Sequence, residues 1–275
     1  MKDEKLQKII ANAGLTSRRD AERWIEAGRV SVNGSIAELG DRASDKDKIR
    51  VDGKILRTTP REEFQRRMLA YHKPEGEICS RKDPEGRPTI FDNLPSIKNG
   101  RWINVGRLDI NTSGLIFFTN DGELANRLMH PSNQLIRKYA SRVRGEIDDA
   151  VLKRLSRGVE LEDGIAKFET IHDAGGEGSN HWYHVSIREG RNREVRRIWE
   201  SEGIQVSRLH RIQYGPFELE RSLKRGRWKE LEPKELGVFE ELVGLKKTVV
   251  AKTLNQNAQK RQVKKRLKAR KIRRK

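Results

Sequence analysis

Apolar positions recur at helical spacing twice near the N-terminus and at strand spacing through most of the remaining chain. Leu6, Ile9, Ile10 and Ala13 share one helical face, and Gly14 follows where a helix stop belongs. A second helix is predicted from Ser17, which with Asp20 fits the S-x-x-D/E capping pattern. It buries Ala21, Trp24 and Ile25, presents Arg18, Arg19 and Arg23 on its other face, and ends at Gly28. Val30, Val32 and Ile36 flank Asn33-Gly34, and Ile49, Val51 and Ile55 flank Asp52-Gly53, both of them hairpin signals. Residues 1–56 therefore read as a small α+β unit, whose arginines by charge pattern alone could be a solvated face. Residues 57–66 are polar, aperiodic and contain Pro60, as a linker does.

Over residues 67–244 short apolar runs alternate with Gly, Pro and Asp turns. Strands are predicted at MLAYH, WINVGRL, LIFFT, KYASRVRG, VELED, AKFETI, WYHVSI, VSRLHRI and RWKEL, and helices at ELANRLMH, DDAVLKRL and NREVRRIWESEG. Many strands and few helices argue an α+β domain on a mostly antiparallel sheet with flanking helices, although the strand order is not readable from periodicity.

Charge changes the picture at the C-terminus. The chain has 275 residues, 59 basic and 40 acidic, for a net charge of +19, yet 14 of the basic side chains lie in residues 246–275, where no acidic residue occurs. The excess is mostly a tail, residues 245–275, expected to be disordered alone and to act as a polyanion-binding arm. It lacks the Trp/Phe/Leu face that an interfacial membrane helix needs. No apolar run approaches membrane-spanning length, and the start, MKDEKLQK, is too charged for a secretory signal, so a cytoplasmic protein without a membrane partner is expected. Cys79 is the single cysteine and cannot form an intrachain disulfide, and the six histidines do not combine with it at metal-ligand spacing. His181 and His184 could share a helical face, but they sit in a predicted strand. Phosphate-loop, dinucleotide-binding and hydrolase-elbow strings are absent from the sequence.

The run TSRRDAERWIEAGRVSVNG resembles an S4 domain, a small RNA-binding module, and the likeness covers about the first 55 residues. In that family the helix start and adjacent basic residues meet RNA phosphates, as a helix N-terminus with arginines should. The resemblance makes Lys5, Arg18, Arg19 and Arg29 candidate RNA contacts.

Asp109 ends an apolar strand and precedes the turn-rich NTSG, where an Asp by spacing alone is a turn or cap residue. However, GRLDINTSGLIFFTNDGELANRLMHPS resembles the signature of the RsuA-type pseudouridine synthases, whose G-R-L-D-x-x-T-S/D-G-L motif carries a catalytic aspartate. Three further segments resemble that family in order and spacing: YHKPEGEICSRKDPEGRPTIFDNLP, RKYASRVRG, and EGRNREVRRIWESEGIQVSRLHRIQYG. With the S4-like part, the likeness spans about residues 3–232. Within the family, GGEGSNHWYHVSIREGRNREVRR and the basic tail look most like the B-type branch of the large ribosomal subunit.

The resemblance implies isomerisation of a uridine in 23S rRNA, on naked rRNA or on a large-subunit assembly intermediate, by a monomer. The reaction breaks N1–C1′, turns the uracil and joins C5 to C1′ with nothing lost, so no cofactor or metal is required. An ionised carboxylate beside the sugar can attack C1′ or remove the 2′ proton. Asp109 takes that role by resemblance, Arg196 matches the arginine that pairs with it, and Tyr139 matches the active-site tyrosine that stacks on the base. From pattern alone, Arg196 could equally be a solvated helix residue and Tyr139 a sheet-core residue. Lys73 and Arg107 are expected to position phosphates or the loop holding Asp109, and Arg193 and Arg197 to touch phosphate. The competing class is a non-catalytic RNA-binding assembly factor, which has no need of a carboxylate near an anionic ligand.

Overall fold

The computed structural model describes residues 3–44, 46–58, 64–81, 83–97, 100–145, 147–177 and 180–246. The basic tail beyond Lys246 and the middle of the predicted linker, residues 59–63, lie outside the described residues.

In the N-terminal unit, helices α1 (Leu6–Asn12) and α2 (Arg18–Glu26) pack against short strands β1 (Glu4–Lys5), β2 (Val30–Val32), β3 (Ser35–Ile36), β4 (Arg42–Ala43), β5 (Ile49–Val51) and β6 (Lys54–Ile55). The predicted cap is formed: the Asp20 backbone N–H donates to Ser17 Oγ at 3.0 Å. Strands β3, β2, β5 and β6 form an antiparallel sheet, and Leu6, Ile10, Ala21, Ile25, Val30 and Ile49 close the core. Trp24, expected in that core, is half-buried, with the Arg29 guanidinium 4.8 Å above its ring. Gly14 has a left-handed φ of +88°, and a Cβ there would stand 2.4 Å from the Gly100 carbonyl oxygen. The α1–α2 turn thus abuts the second domain where a side chain would not fit.

The second domain holds β7 (Met68–Lys73), β8 (Ile103–Val105), β9 (Thr112–Thr119), β10 (Arg137–Arg144), β11 (Val159–Leu161), β12 (Gly164–Ala166), β13 (Thr170–Glu177), β14 (Asn180–Ile187), β15 (Gln205–Tyr214), β16 (Phe217–Glu218) and β17 (Trp228–Glu230). Its helices are α3 (Gly122–Met129), α4 (Asp149–Arg157), α5 (Glu194–Glu200) and α6 (Pro233–Leu242). The main sheet runs β13-β14-β10-β15-β9-β7-β17, with β16 added to β15 and β8 to β9, while β11 and β12 form a separate hairpin. Every described pairing of the main sheet is antiparallel except β9 with β15, which is parallel and central. Both faces of β9 are covered: Ile116 and Phe118 enter one core with Tyr71, Val185 and Trp199, and Leu115 and Phe117 enter another with Leu124, Tyr214 and Phe239. That is why TSGLIFFT reads as a continuous apolar run.

Helix α6 is the element the apolar pattern does not announce. It starts on a capping box built by Glu232 and Glu235 with Pro233 in the first turn, and Gly237 interrupts its period. The AKFETI segment is divided between the end of β12 and the start of β13. His181 and His184 lie on a strand, three positions apart, so they face opposite sides of the sheet.

Candidate active site

Asp109 lies in the loop between β8 and β9, and the loop is held almost carbonyl by carbonyl. The Leu108 N–H donates to Cys79 Sγ at 3.3 Å, and the thiol donates back to Leu108 O at 3.2 Å. Asp109 O accepts from the Thr112 N–H at 3.0 Å, and Ile110 O from the Gly76 N–H at 2.8 Å. Asn111 O accepts from Arg196 Nη2 at 3.0 Å. Beneath them the Lys73 ammonium, fully buried, donates to Thr112 O at 2.8 Å, Asp109 O and Pro74 O at 3.0 Å, and Ile110 O at 3.5 Å. Of the two roles expected for Lys73, meeting phosphate or holding the loop, it performs the second, and a sealed ammonium has no face left for RNA.

The glycine closing the motif has its own cause. Gly114 has φ +113° and stands beside Arg211 in the parallel β9–β15 ladder, so a Cβ there would lie 2.3 Å from the Arg211 carbonyl oxygen. Only glycine lets β9 begin so close to β15.

Against this fixed backbone the Asp109 carboxylate is half-exposed and accepts no hydrogen bond among the described residues. Arg196, on α5, is 4% exposed and donates from Nη1 to Val206 O at 2.8 Å as well as to Asn111 O. The two residues form no direct ion pair among the described residues. Burial and the nearby Arg193 lower the Arg196 pKa, and the Asp109 charge opposes that lowering through space. Arg196 therefore reaches Asp109 as a field and as a brace on its loop. Arg196 Nε is buried and without a partner among the described residues.

Tyr139, on β10, is 7% exposed and belongs to the larger core, opposite Val185 on β14 and Arg211 on β15. Its hydroxyl makes no hydrogen bond among the described residues. Arg211 was not singled out by sequence. It is 2% exposed, donates from Nε to Leu115 O at 2.7 Å and lies 5.2 Å over the Tyr214 ring, with Nη2 unpartnered among the described residues. Tyr71 and Glu77 also escaped notice: the phenol lies 2.8 Å from both carboxylate oxygens, and burial pushes the Glu77 carboxyl up.

The expected phosphate contacts divide. Lys5, Arg18, Arg19 and Arg107 are at least partly exposed and free of carboxylate partners among the described residues. Arg29 is engaged by Asp52 at 2.6 Å and Arg193 by Glu200 at 3.3 Å. Arg197 grips both oxygens of Asp163 at 2.8 and 2.9 Å, which tethers α5 to the β11–β12 turn and holds the Asp163 carboxyl down at about 2. Such a bidentate clasp makes Arg197 a structural tie instead of the expected phosphate contact. Among the described residues no His, Cys, Asp and Glu group could hold a metal ion, and no helix is long and apolar enough to cross a membrane.

Residues 67–201 match the RNA pseudouridylate synthase family and residues 4–49 match the S4 domain. The chain is 59% identical over 244 residues to a protein of Escherichia coli K12 named ribosomal large subunit pseudouridine synthase B, a match covering 88% of this chain and 84% of that one. A Yersinia pestis protein of the same name is 58% identical over 251 residues, covering 90% of this chain and 79% of its own length. The likeness to the Pseudomonas aeruginosa protein of that name is 59% over 244 residues, and this chain spans 63% of its length. A crystal structure of a pseudouridylate synthase superposes with a TM-score of 0.60 at 28% identity, covering 87% of this chain and 99% of the other. With its S4 unit, its sheet and its motif loop all matched, this chain belongs to the S4-bearing branch of the RNA pseudouridylate synthase family.

Proposed function

We propose that the chain converts a uridine of 23S rRNA to pseudouridine, acting as a cytoplasmic monomer on naked rRNA or on a large-subunit assembly intermediate. The observation that carries this is the Asp109 carboxylate: unbonded among the described residues, half-exposed, on a loop whose carbonyls are fixed from Leu108 to Thr112, beside the buried charge of Arg196. A carboxylate held that way is preorganised to act on C1′ or on the 2′ proton of a flipped-out uridine. The N1–C1′ bond breaks, the uracil turns, C5 bonds to C1′, and the proton lost from C5 is balanced by one gained at N1, so the net change is an isomerisation. Tyr139 stacks on the base, Arg196 braces the Asp109 loop through the Asn111 carbonyl, and Lys5, Arg18, Arg19 and Arg107 face the phosphates. The names of the large-subunit relatives support the choice of rRNA.

The test is tritium release from 23S rRNA labelled at uridine C5. Asp109→Asn should bind RNA with near-unchanged affinity and release no tritium. Turnover within tenfold of the parent chain would remove Asp109 from the chemistry.

A further inference from the structure

The segment between β16 and β17 carries Arg221, Lys224, Arg225 and Arg227 within seven residues, all exposed and none paired with a carboxylate among the described residues. Elsewhere on the surface arginines are commonly compensated: Arg23, Arg29, Arg87, Arg127, Arg154 and Arg188 each have an acidic partner. The neighbouring acid, Glu220, is occupied by Lys229 at 2.6 Å and by Ser222 at 3.1 Å. Four such cations on one short loop repel one another, a cost that a bound anion offsets.

The loop is also anchored, which a merely solvated charge run need not be. The His72 N–H donates to Arg227 O at 3.0 Å, the Gly226 N–H donates to His72 O at 2.8 Å, and His72 Nδ1 lies 2.8 Å from Leu223 O. The His72 ring lies 5.1 Å from that of His210, whose Nδ1 is 2.9 Å from Ser113 Oγ, one residue beyond Thr112. The positive charge of Arg225 bears on both imidazoles. The basic loop is thus tied to the strand that supplies Lys73 and to the strand that follows Asp109.

Topology fixes where it points. Strand β17 is antiparallel to β7 and β7 is antiparallel to β9, with Trp228 opposite Tyr71 and Lys73 opposite Gly114. The entry to β17, the end of β7 and the entry to β9 therefore lie at one end of the sheet's strands. Two inter-strand steps of about 4.8 Å separate the β17 entry from the β9 entry, so the basic loop stands on the order of 10 Å from the Asp109 loop.

We propose that Arg221, Lys224, Arg225 and Arg227 form a phosphate rail that holds the RNA strand flanking the uridine presented to Asp109. The proposal rests on the RNA-modifying reading above and names where its substrate's backbone lies. A base turned into the site leaves its flanking phosphates at that end of the sheet, where unpaired cations on a tethered loop receive them without reorganisation.

The experiment compares the full chain with the quadruple variant Arg221→Ala/Lys224→Ala/Arg225→Ala/Arg227→Ala and with the charge-keeping triple variant Arg221→Lys/Arg225→Lys/Arg227→Lys. The probe is transcribed 23S rRNA, the measurement is Kd across a range of salt, and melting temperatures confirm that each variant folds. The alanine variant should bind at least tenfold more weakly at physiological salt. Its plot of log affinity against log salt should flatten by about 0.7 to 0.9 for each phosphate no longer neutralised, and the lysine variant should keep the slope of the parent chain. A folded alanine variant with unchanged affinity and slope overturns the rail. Tritium release by the parent chain reports separately: its absence would remove the uridine reading, whereas the salt slopes decide the rail in either case.

Discussion

Replacing Lys73 with Met keeps the aliphatic stem in place and deletes the ammonium under the Asp109 loop. Three of its hydrogen bonds, to Thr112 O, Asp109 O and Pro74 O, lie at 2.8 to 3.0 Å, and hydrogen bonds to a charged donor contribute about 1.5 to 3 kcal/mol each. The full sum does not apply, because Asp109 O and Ile110 O keep their backbone donors and burial of the ammonium is itself unfavourable, as the lowered Lys73 pKa shows. A net destabilisation of about 2 to 4 kcal/mol follows. The larger effect should be on rate: a misplacement of about 1 Å in a reacting group costs on the order of 100-fold. Single-turnover tritium release, with denaturant unfolding and RNA affinity measured alongside, separates these effects. Lys73→Met should lose about two orders of magnitude in rate and keep its affinity and salt slope. Loss of affinity with an unchanged single-turnover rate would refute the brace and return Lys73 to the RNA surface.

Arg196→Met should reduce both rate and stability, by about 2 to 4 kcal/mol for the latter, and Arg196→Lys should recover only part because a point charge cannot span Asn111 O and Val206 O together; kinetics and melting read both. Tyr139→Phe should retain base stacking, worth about 1 to 3 kcal/mol, whereas Tyr139→Ala should lose it, as seen in KM and rate for folded protein. Burial holds His210 neutral, with its pKa down at about 4 against an ordinary 6.5. The unfolded chain therefore takes up this proton first, so the contribution is complete above 6.5 and is lost as pH falls toward 4. After solvent screening it amounts to about 1 to 2 kcal/mol, and His210→Gln should flatten the stability profile in that window.

The parts legible in the sequence are those whose causes are local. Ser17 caps the helix it precedes, as its S-x-x-D pattern predicts, and the turn after Asp109 is closed within three residues by Thr112. Strand β9 was legible as an apolar run, but its parallel partner was not, because strand order is a property of the whole sheet. The resemblance singled out Asp109, Tyr139 and Arg196, yet it implied a direct pair where Arg196 instead binds carbonyls. Lys73 was legible only as two alternatives, since its acceptors are carbonyls, which any sequence supplies. Cys79 and Arg211 gave no signal at all: their partners, Leu108 and Leu115, lie 29 and 96 positions away.

The parallel β9–β15 ladder has a consequence for synthesis of the chain. Ser113 meets His210 across 97 positions, and closing such a loop costs roughly 4 kcal/mol in chain entropy before any contact repays it. Asp109, Tyr139 and Arg196 are all translated before β15 begins at Gln205, yet the Val206 carbonyl that seats Arg196 and the ladder that seats Gly114 come after it. A nascent chain halted near residue 204 thus carries Asp109, Tyr139 and Arg196 without the strand that seats them, so this geometry is completed late, as the last central strand slides into place.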